Sequence, residues 1–191
     1  LAYARQLLKN GDYKLAAQEF RIVLDSLPND VLAQNGLKSA LKAPEWKEQG
    51  SRYTVKRMDV FNSRRDDYSP VLFGDDYDQL YFTSTRNEAA GDELSGITGT
   101  KAGDIFLSEK DDKGKWSKPE AIGTGLNTEY DEGACCFTPD GRDMYLTQCV
   151  TDPSSPRYAK IVTSPRSDAA WGKTNKLEIT KDTLSNYAHP A

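Results

Sequence analysis

The only histidine, His189, is the one side chain whose ordinary pKa lies near neutrality. A nucleophilic triad would set it against a Ser or Cys in a recognisable motif, and none surrounds it. Its place at the start of a strand-like stretch fits a packing role at a strand edge. Asp75, Asp76 and Asp78 invite a calcium reading. They lack the twelve-residue loop and terminal Glu of a known site, so a solvated acidic hairpin tip is expected. Cys135 and Cys136 are adjacent and would point to opposite faces of a strand, so only one could face Cys149. The three lack paired C-x-x-C spacing and a nearby His, so buried packing thiols are expected and no metal site. Gly91–Thr100 is a polar, Gly-rich insertion without the Lys of a phosphate loop. It reads as a surface loop or a partner-binding loop. Lys110–Lys115 reads as a hairpin turn of mixed charge. No pattern calls for a cofactor. Neither convergent carboxylates nor a nucleophile–base pair is visible, so the chain reads as non-catalytic.

Bulk composition points the same way. The formal net charge is -4, and no Lys/Arg cluster rises above the background, which argues against nucleic acid. No apolar run approaches the ~20 residues of a membrane span. The first residues already read as mid-helix with no initiator Met, so the natural chain is expected to begin earlier.

Two kinds of element must position these residues. Leu7, Leu8, Tyr13, Leu15, Ala16, Ala17, Phe20, Val23 and Leu24 recur at spacings of three and four, which predicts helices. Gly11-Asp12 and Leu27-Pro28-Asn29-Asp30 interrupt them, and a third apolar-periodic run follows from Val31 to Leu41. Pro44 is expected to end this helical region, residues 1–44. Residues 45–66 read as a connector in which Tyr53, Val55, Arg57 and Met58 alternate like one strand.

Residues 67–191 repeat. Ser69–Thr83 is a strand, an acidic turn and a strand, and Gly133–Thr147 echoes it, with Phe137 and Tyr145 each 64 residues after Phe73 and Tyr81. Pro139-Asp140-Gly141 is strong turn chemistry. Asp104–Ser108 is echoed by Lys160–Ser164, and Trp116 by Trp171. Ala188-His189-Pro190-Ala191 looks like a third start. Four short strands per unit with a recurring Trp indicate antiparallel β-propeller blades, two complete and a third begun. Propellers close with typically 4–8 blades, so further blades are expected C-terminally. The predicted fold class is α+β and multidomain.

Two resemblances add to this reading. Gly11, Tyr13, Ala16, Phe20 and Pro28 stand at the spacings of a tetratricopeptide repeat, covering one repeat and the first helix of a next. Such a repeat does not bury its own face, so more repeats before Leu1, or a third helix packed on the propeller, are expected. The first helix of such a hairpin usually lines a concave binding face. By the matched Gly, Ala and Pro this places Arg5, Lys9, Asn35 and Ser39 there, where cations could take a partner's acidic tail or carboxylate. The alternative is a solvated helix face.

Thr138-Pro139-Asp140-Gly141 through Met144-Tyr145-Leu146 resembles a WD-like propeller repeat also found in TolB-like proteins, with Gly74–Tyr77 departing from it in the first unit. The module order, with Arg52–Arg57 and Asp66–Val71, resembles a Bacteroidota envelope family that carries a C-terminal OmpA-like peptidoglycan-binding domain. That resemblance implies a periplasmic, outer-membrane-associated lipoprotein. It would be a scaffold that binds envelope or secretion-system proteins and peptidoglycan through a domain absent from this sequence. The competing function is a propeller that binds or hydrolyses a glycan or peptide in its channel.

Overall fold

The computed structural model describes the chain apart from residues 97, 124, 153–154, 169 and 183–184 and the side chains of 151–152 and 155–158. It is a mixed α+β chain that divides into two compact units, Leu1–Lys56 and Arg57–Ala191.

The first unit holds three helices, α1 (Ala2–Asn10), α2 (Tyr13–Ser26) and α3 (Val31–Gln49). Gly11 ends α1 in the left-handed region at φ 87°, a conformation that costs Gly least. Asp30 caps α3 by accepting from Ala33 N at 2.7 Å. The small residues Ala4, Ala16, Ala17, Ala33 and Ala40 let the helices approach, and the buried Phe20 ring fills the centre. Gly36 on α3 leaves that ring its space, since a Cβ there would overlap it.

Pro44 does not end the third helix. Helix α3 passes through it to Gln49 and stops before Gly50 at φ 66°. The proline ring holds φ near the helical value, so a helix can continue at the loss of one hydrogen bond. Nor do residues 53–58 form the expected strand. Tyr53 and Val55 are 71% and 94% exposed, and an unpaired extended segment gains no ladder hydrogen bonds. The expected connector 45–66 is therefore divided among the end of α3, a short extended stretch, and residues 57–66, which belong to the second unit.

That unit contains two antiparallel sheets. The first runs in the order β1 (Asp67–Phe73), β2 (Gln79–Ser84), β3 (Asp104–Glu109), β4 (Glu120–Ala121). The second runs β5 (Asp131–Phe137), β6 (Asp143–Asp152), β7 (Ser155–Ser167), β8 (Ala170–Trp171), with β9 (Asn175–Lys176) also pairing β7. Both first strands carry a bulge, between Tyr68 and Val71 and between Gly133 and Cys136. The bulge residues Ser69 and Ala134 share positive φ, 52° and 47°.

The ladder corrects the ungapped sequence alignment. Val71 lies opposite Tyr81, and Cys136 opposite Tyr145, so first-strand positions correspond at 65 residues while second-strand positions keep 64. Phe137 thus takes the place of Leu72, because the turn that follows Phe137 is one residue shorter than the turn that follows Leu72. The face between the sheets is apolar and aromatic. Phe73 lies 4.3 Å from Phe137, and both contact Tyr81 and Trp171. Met144, Leu146, Ile105 and Val162 complete this core.

Candidate functional site

The joint between the sheets is built from backbone groups aimed at a few side chains, and it recurs. Ala134 N donates to Thr83 Oγ1 at 3.1 Å, and His189 N donates to Thr147 Oγ1 at 2.8 Å. Gly103 N donates to Asp131 Oδ1 and Gly103 O accepts from Glu132 N, at 2.8 and 2.7 Å. In the same way Ala159 N donates to Asn186 Oδ1 and Ala159 O accepts from Tyr187 N, at 2.8 and 3.0 Å. Residues 186–189 therefore hold to β6 and β7 as residues 131–134 hold to β2 and β3. His189 also takes positive φ, 57°, like Ser69 and Ala134.

The outer strands repeat as well. Ser108 Oγ donates to Ser117 O and Ser164 Oγ to Gly172 O, both at 2.7 Å. Lys110 Nζ sits 4.8 Å over Trp116, and the Arg166 guanidinium 5.6 Å over Trp171. Each of the two echoed tryptophans thus carries a cation over its ring.

Beneath the joint lies a layer of buried carboxylates. Asp67 accepts from Ser63 N, Ser84 Oγ and Arg86 Nη2, each at 2.6 Å. Burial pushes its pKa up, but those hydrogen bonds outweigh burial and hold it below the usual carboxylate range. Arg86 also donates to Phe61 O and Ser84 Oγ and lies over the Phe82 and Phe106 rings. Glu132 is the equivalent of Asp67. It accepts from Thr128 N, Thr128 Oγ1 and Gln148 Nε2 at 2.8, 2.6 and 3.0 Å. Here burial dominates and raises the pKa, with the Asp104 charge adding to it.

Asp104 is completely buried, and burial raises its pKa to about 6 against the opposing bond from Ala90 N and the charge of Lys101. Its Oδ1 takes no hydrogen bond among the described residues. These carboxylates receive backbone N–H groups and lock strand starts to the preceding loops, which is structural work.

The pattern Ser63-x-x-x-Asp67 and Thr128-x-x-x-Glu132 was not among the sequence-derived sites. Its signal was present: an identical spacing repeated 65 residues apart.

Each earlier site residue has a definite place. Arg5 and Lys9 are exposed on α1. Asn35 and Ser39 line a groove of about 520 Å³ with Lys38, Leu41, Lys42 and Trp46. The structure brings Asn35 and Ser39 together, and Arg5 and Lys9 do not line that groove. In the second unit, Tyr81, Leu107, Glu109, Glu120, Leu126 and Trp171 line part of a cleft of about 480 Å³ between the sheets.

Cys135 is buried and its thiol is pushed up to about 12, while Cys136 and Cys149 are half-buried and free. Cys136 pairs with Tyr145 and Cys149 with Asp131, so neither adjacent cysteine stands opposite Cys149. Asp75 and Asp76 sit at an exposed turn, where Tyr77 N donates to Gly74 O. Among the described residues no group of three or more His, Cys, Asp or Glu side chains is placed to hold a metal ion, and no helix is long and apolar enough to cross a membrane. Gly91–Thr100 includes residue 97, outside the described residues; its ends are tied down by Lys101 Nζ to Ala89 O and by Ala90 N to Asp104. Comparison with known proteins found no matching family model, curated protein or solved structure.

Proposed function

We propose that the two sheets are consecutive blades of a β-propeller, that α1–α3 form a tetratricopeptide-like module, and that the protein is a non-catalytic scaffold holding other proteins. The observation that carries the reading is the repeated joint, Ala134 N to Thr83 and His189 N to Thr147. The same donor–acceptor pairing joins β5 to β2 and residues 186–189 to β6, which supports blades arranged radially, with residues 186–189 as the start of the next one. The tetratricopeptide reading draws support from Gly11 as the left-handed cap and from Ala16 and Phe20, both 0% exposed at the helix crossing.

The repeated carboxylates Asp67 and Glu132 support a structural over a catalytic role for that pair, because each is occupied by three hydrogen bonds. On the resemblance of its module order to the Bacteroidota envelope family, and to PorE of the type IX secretion system, we place the protein in the periplasm. It would sit against the outer membrane and link secretion machinery to peptidoglycan through an OmpA-like domain.

Affinity capture with the full-length protein from cross-linked envelope extracts tests this. Co-enrichment of secretion subunits and peptidoglycan is expected. Turnover of a glycan or peptide library by the purified protein, or capture without envelope partners, would overturn it.

A further inference from the structure

The groove on α3 has features that go beyond a general scaffold role. Its six lining residues, Asn35, Lys38, Ser39, Leu41, Lys42 and Trp46, all belong to that one helix. Asn35, Lys38, Ser39, Lys42 and Trp46 follow the three- and four-residue spacing of a single helical face. At 1.5 Å per residue the stripe is roughly 16 Å long. Leu41 and Trp46 are 56% and 57% exposed there. Large apolar side chains exposed on a helix are what a partner's anchor residues need, and Trp is enriched at such hot spots.

Charge selects the occupant. The lysines are the only charged residues lining the groove, and no carboxylate lines it. Lys42 bonds Glu45 at 2.5 Å, with both side chains about half exposed, so a partner's carboxylate can take Glu45's place. The whole helical unit, Leu1–Lys56, carries nine Lys and Arg against six Asp and Glu, a net +3 in a chain of net -4. Two exposed apolar side chains, Trp46 on the stripe and Leu41 beside it, set among lysines on one helix accept ridges from a second helix, not the hydrogen-bonding edge of a strand.

We propose that this stripe docks an acidic amphipathic helix of a protein partner, with Trp46 and Leu41 taking its apolar side and Lys38 and Lys42 its carboxylates. The proposal rests on the reading of α1–α3 as a partner-binding module and names that partner's chemistry.

The probe is a synthetic 14-residue amphipathic helix with Leu and Phe on one face and Glu on the other, titrated against the full chain. Tryptophan emission and calorimetry are read together. The expected result is binding that weakens with salt, falls at least tenfold in Lys38→Glu/Lys42→Glu, and loses its emission change in Trp46→Phe. A sister peptide with Lys for Glu is expected not to bind. These exposed substitutions leave the helical circular dichroism unchanged.

Equal binding of both peptides, binding that survives Trp46→Ala with the double charge reversal, or preference for anionic phosphatidylglycerol vesicles over the peptide would overturn the proposal. So would light scattering that shows a dimer dissolved by Trp46→Ala, which assigns the groove to a second copy. Envelope capture separates this inference from the broader reading. Partners retained by Trp46→Ala/Lys38→Glu/Lys42→Glu would sink the groove assignment alone, whereas no envelope partners for the wild type would sink the scaffold.

Discussion

His189 N donates to Thr147 Oγ1 at 2.8 Å, in the same relation that Ala134 N has to Thr83 Oγ1 one repeat earlier. A lone hydrogen bond of this kind is worth about 1 kcal/mol net, so its meaning lies in recurrence. Ala134 is also buried, so its N–H has no water to fall back on. Thr83→Val, which keeps the shape and removes the acceptor, is expected to cost about 1–3 kcal/mol in urea denaturation. Thr147→Val is expected to cost less, because His189 is exposed.

Asp67 and Arg86 form an ion pair at 2.6 Å with both side chains under a tenth exposed. Removing one partner strands the other, so Arg86→Met is expected to destabilise the sheets by about 3–5 kcal/mol. The double variant Asp67→Leu/Arg86→Met should recover part of that loss. The folded pKa of Asp67 is depressed, so its contribution is present above the unfolded value and is lost as pH falls through the folded one. Acid denaturation of Asp67→Asn should therefore show a shallower loss below about pH 4.

Asp104 works in the opposite sense. Its folded pKa, about 6, is raised above the unfolded value, so its ionised form is disfavoured by folding. Stability is lowered above pH 6 and recovers as pH falls through 6 toward 4, with the raised Glu132 adding to the trend. Asp104→Asn keeps an acceptor for Ala90 N and removes the charge. It is expected to raise stability at pH 7.5 by on the order of 2 kcal/mol and to flatten the melting temperature between pH 7 and 5.

Gly36 sits against Phe20, and a Cβ there would come within 2.2 Å of the ring. Gly36→Ala gains about 1 kcal/mol in helix propensity but must displace a ring buried at the centre of three helices. A net loss of about 1–3 kcal/mol is expected from the helical signal in thermal melts. Gly36→Ala with Phe20→Leu should restore part of it.

The thiols offer a chemical check. All three are raised by burial, Cys135 to about 12. Iodoacetamide at pH 8 followed by mass spectrometry should leave Cys135 unlabelled in the native protein and label it at once in denaturant.

How far the residues announced this structure depends on the range of the interactions involved. Gly11, Asp30 and the Ala16–Phe20 spacing act within a turn or two of helix, and the helices they predict are present. Pro44 was misread because its penalty is local, and a nineteen-residue helix with thirteen residues before the proline and five after it can absorb one lost bond. Tyr53–Met58 alternates like a strand but meets no partner, and alternation alone supplies no ladder.

The hairpins were legible from Asp140-Gly141 and the apolar runs around them. Their one-residue slip was not, because the second hairpin's turn is one residue shorter than the first's, Phe137 pairing with Met144 where the equivalent Leu72 pairs with Leu80, and only the ladder counts turn residues. The carboxylate layer went unseen for a related reason. Ser63 and Asp67 bond locally, but Arg86 and Ser84 arrive from across the hairpin. Of the four residues assigned to a binding face, the groove on α3 gathers two. A helical face read from spacing alone does not say which helix supplies the apolar anchor, here Trp46.

The most direct test of the repeated joint is amide hydrogen exchange at Ala134 and His189, followed residue by residue by NMR in the wild type, Thr83→Val and Thr147→Val. If residues 186–189 begin a third copy of the joint, both amides are protected in the wild type, and each variant releases only its own. Exchange of His189 at the rate of an unstructured amide in the wild type, or unaltered protection in Thr147→Val, would contradict the account.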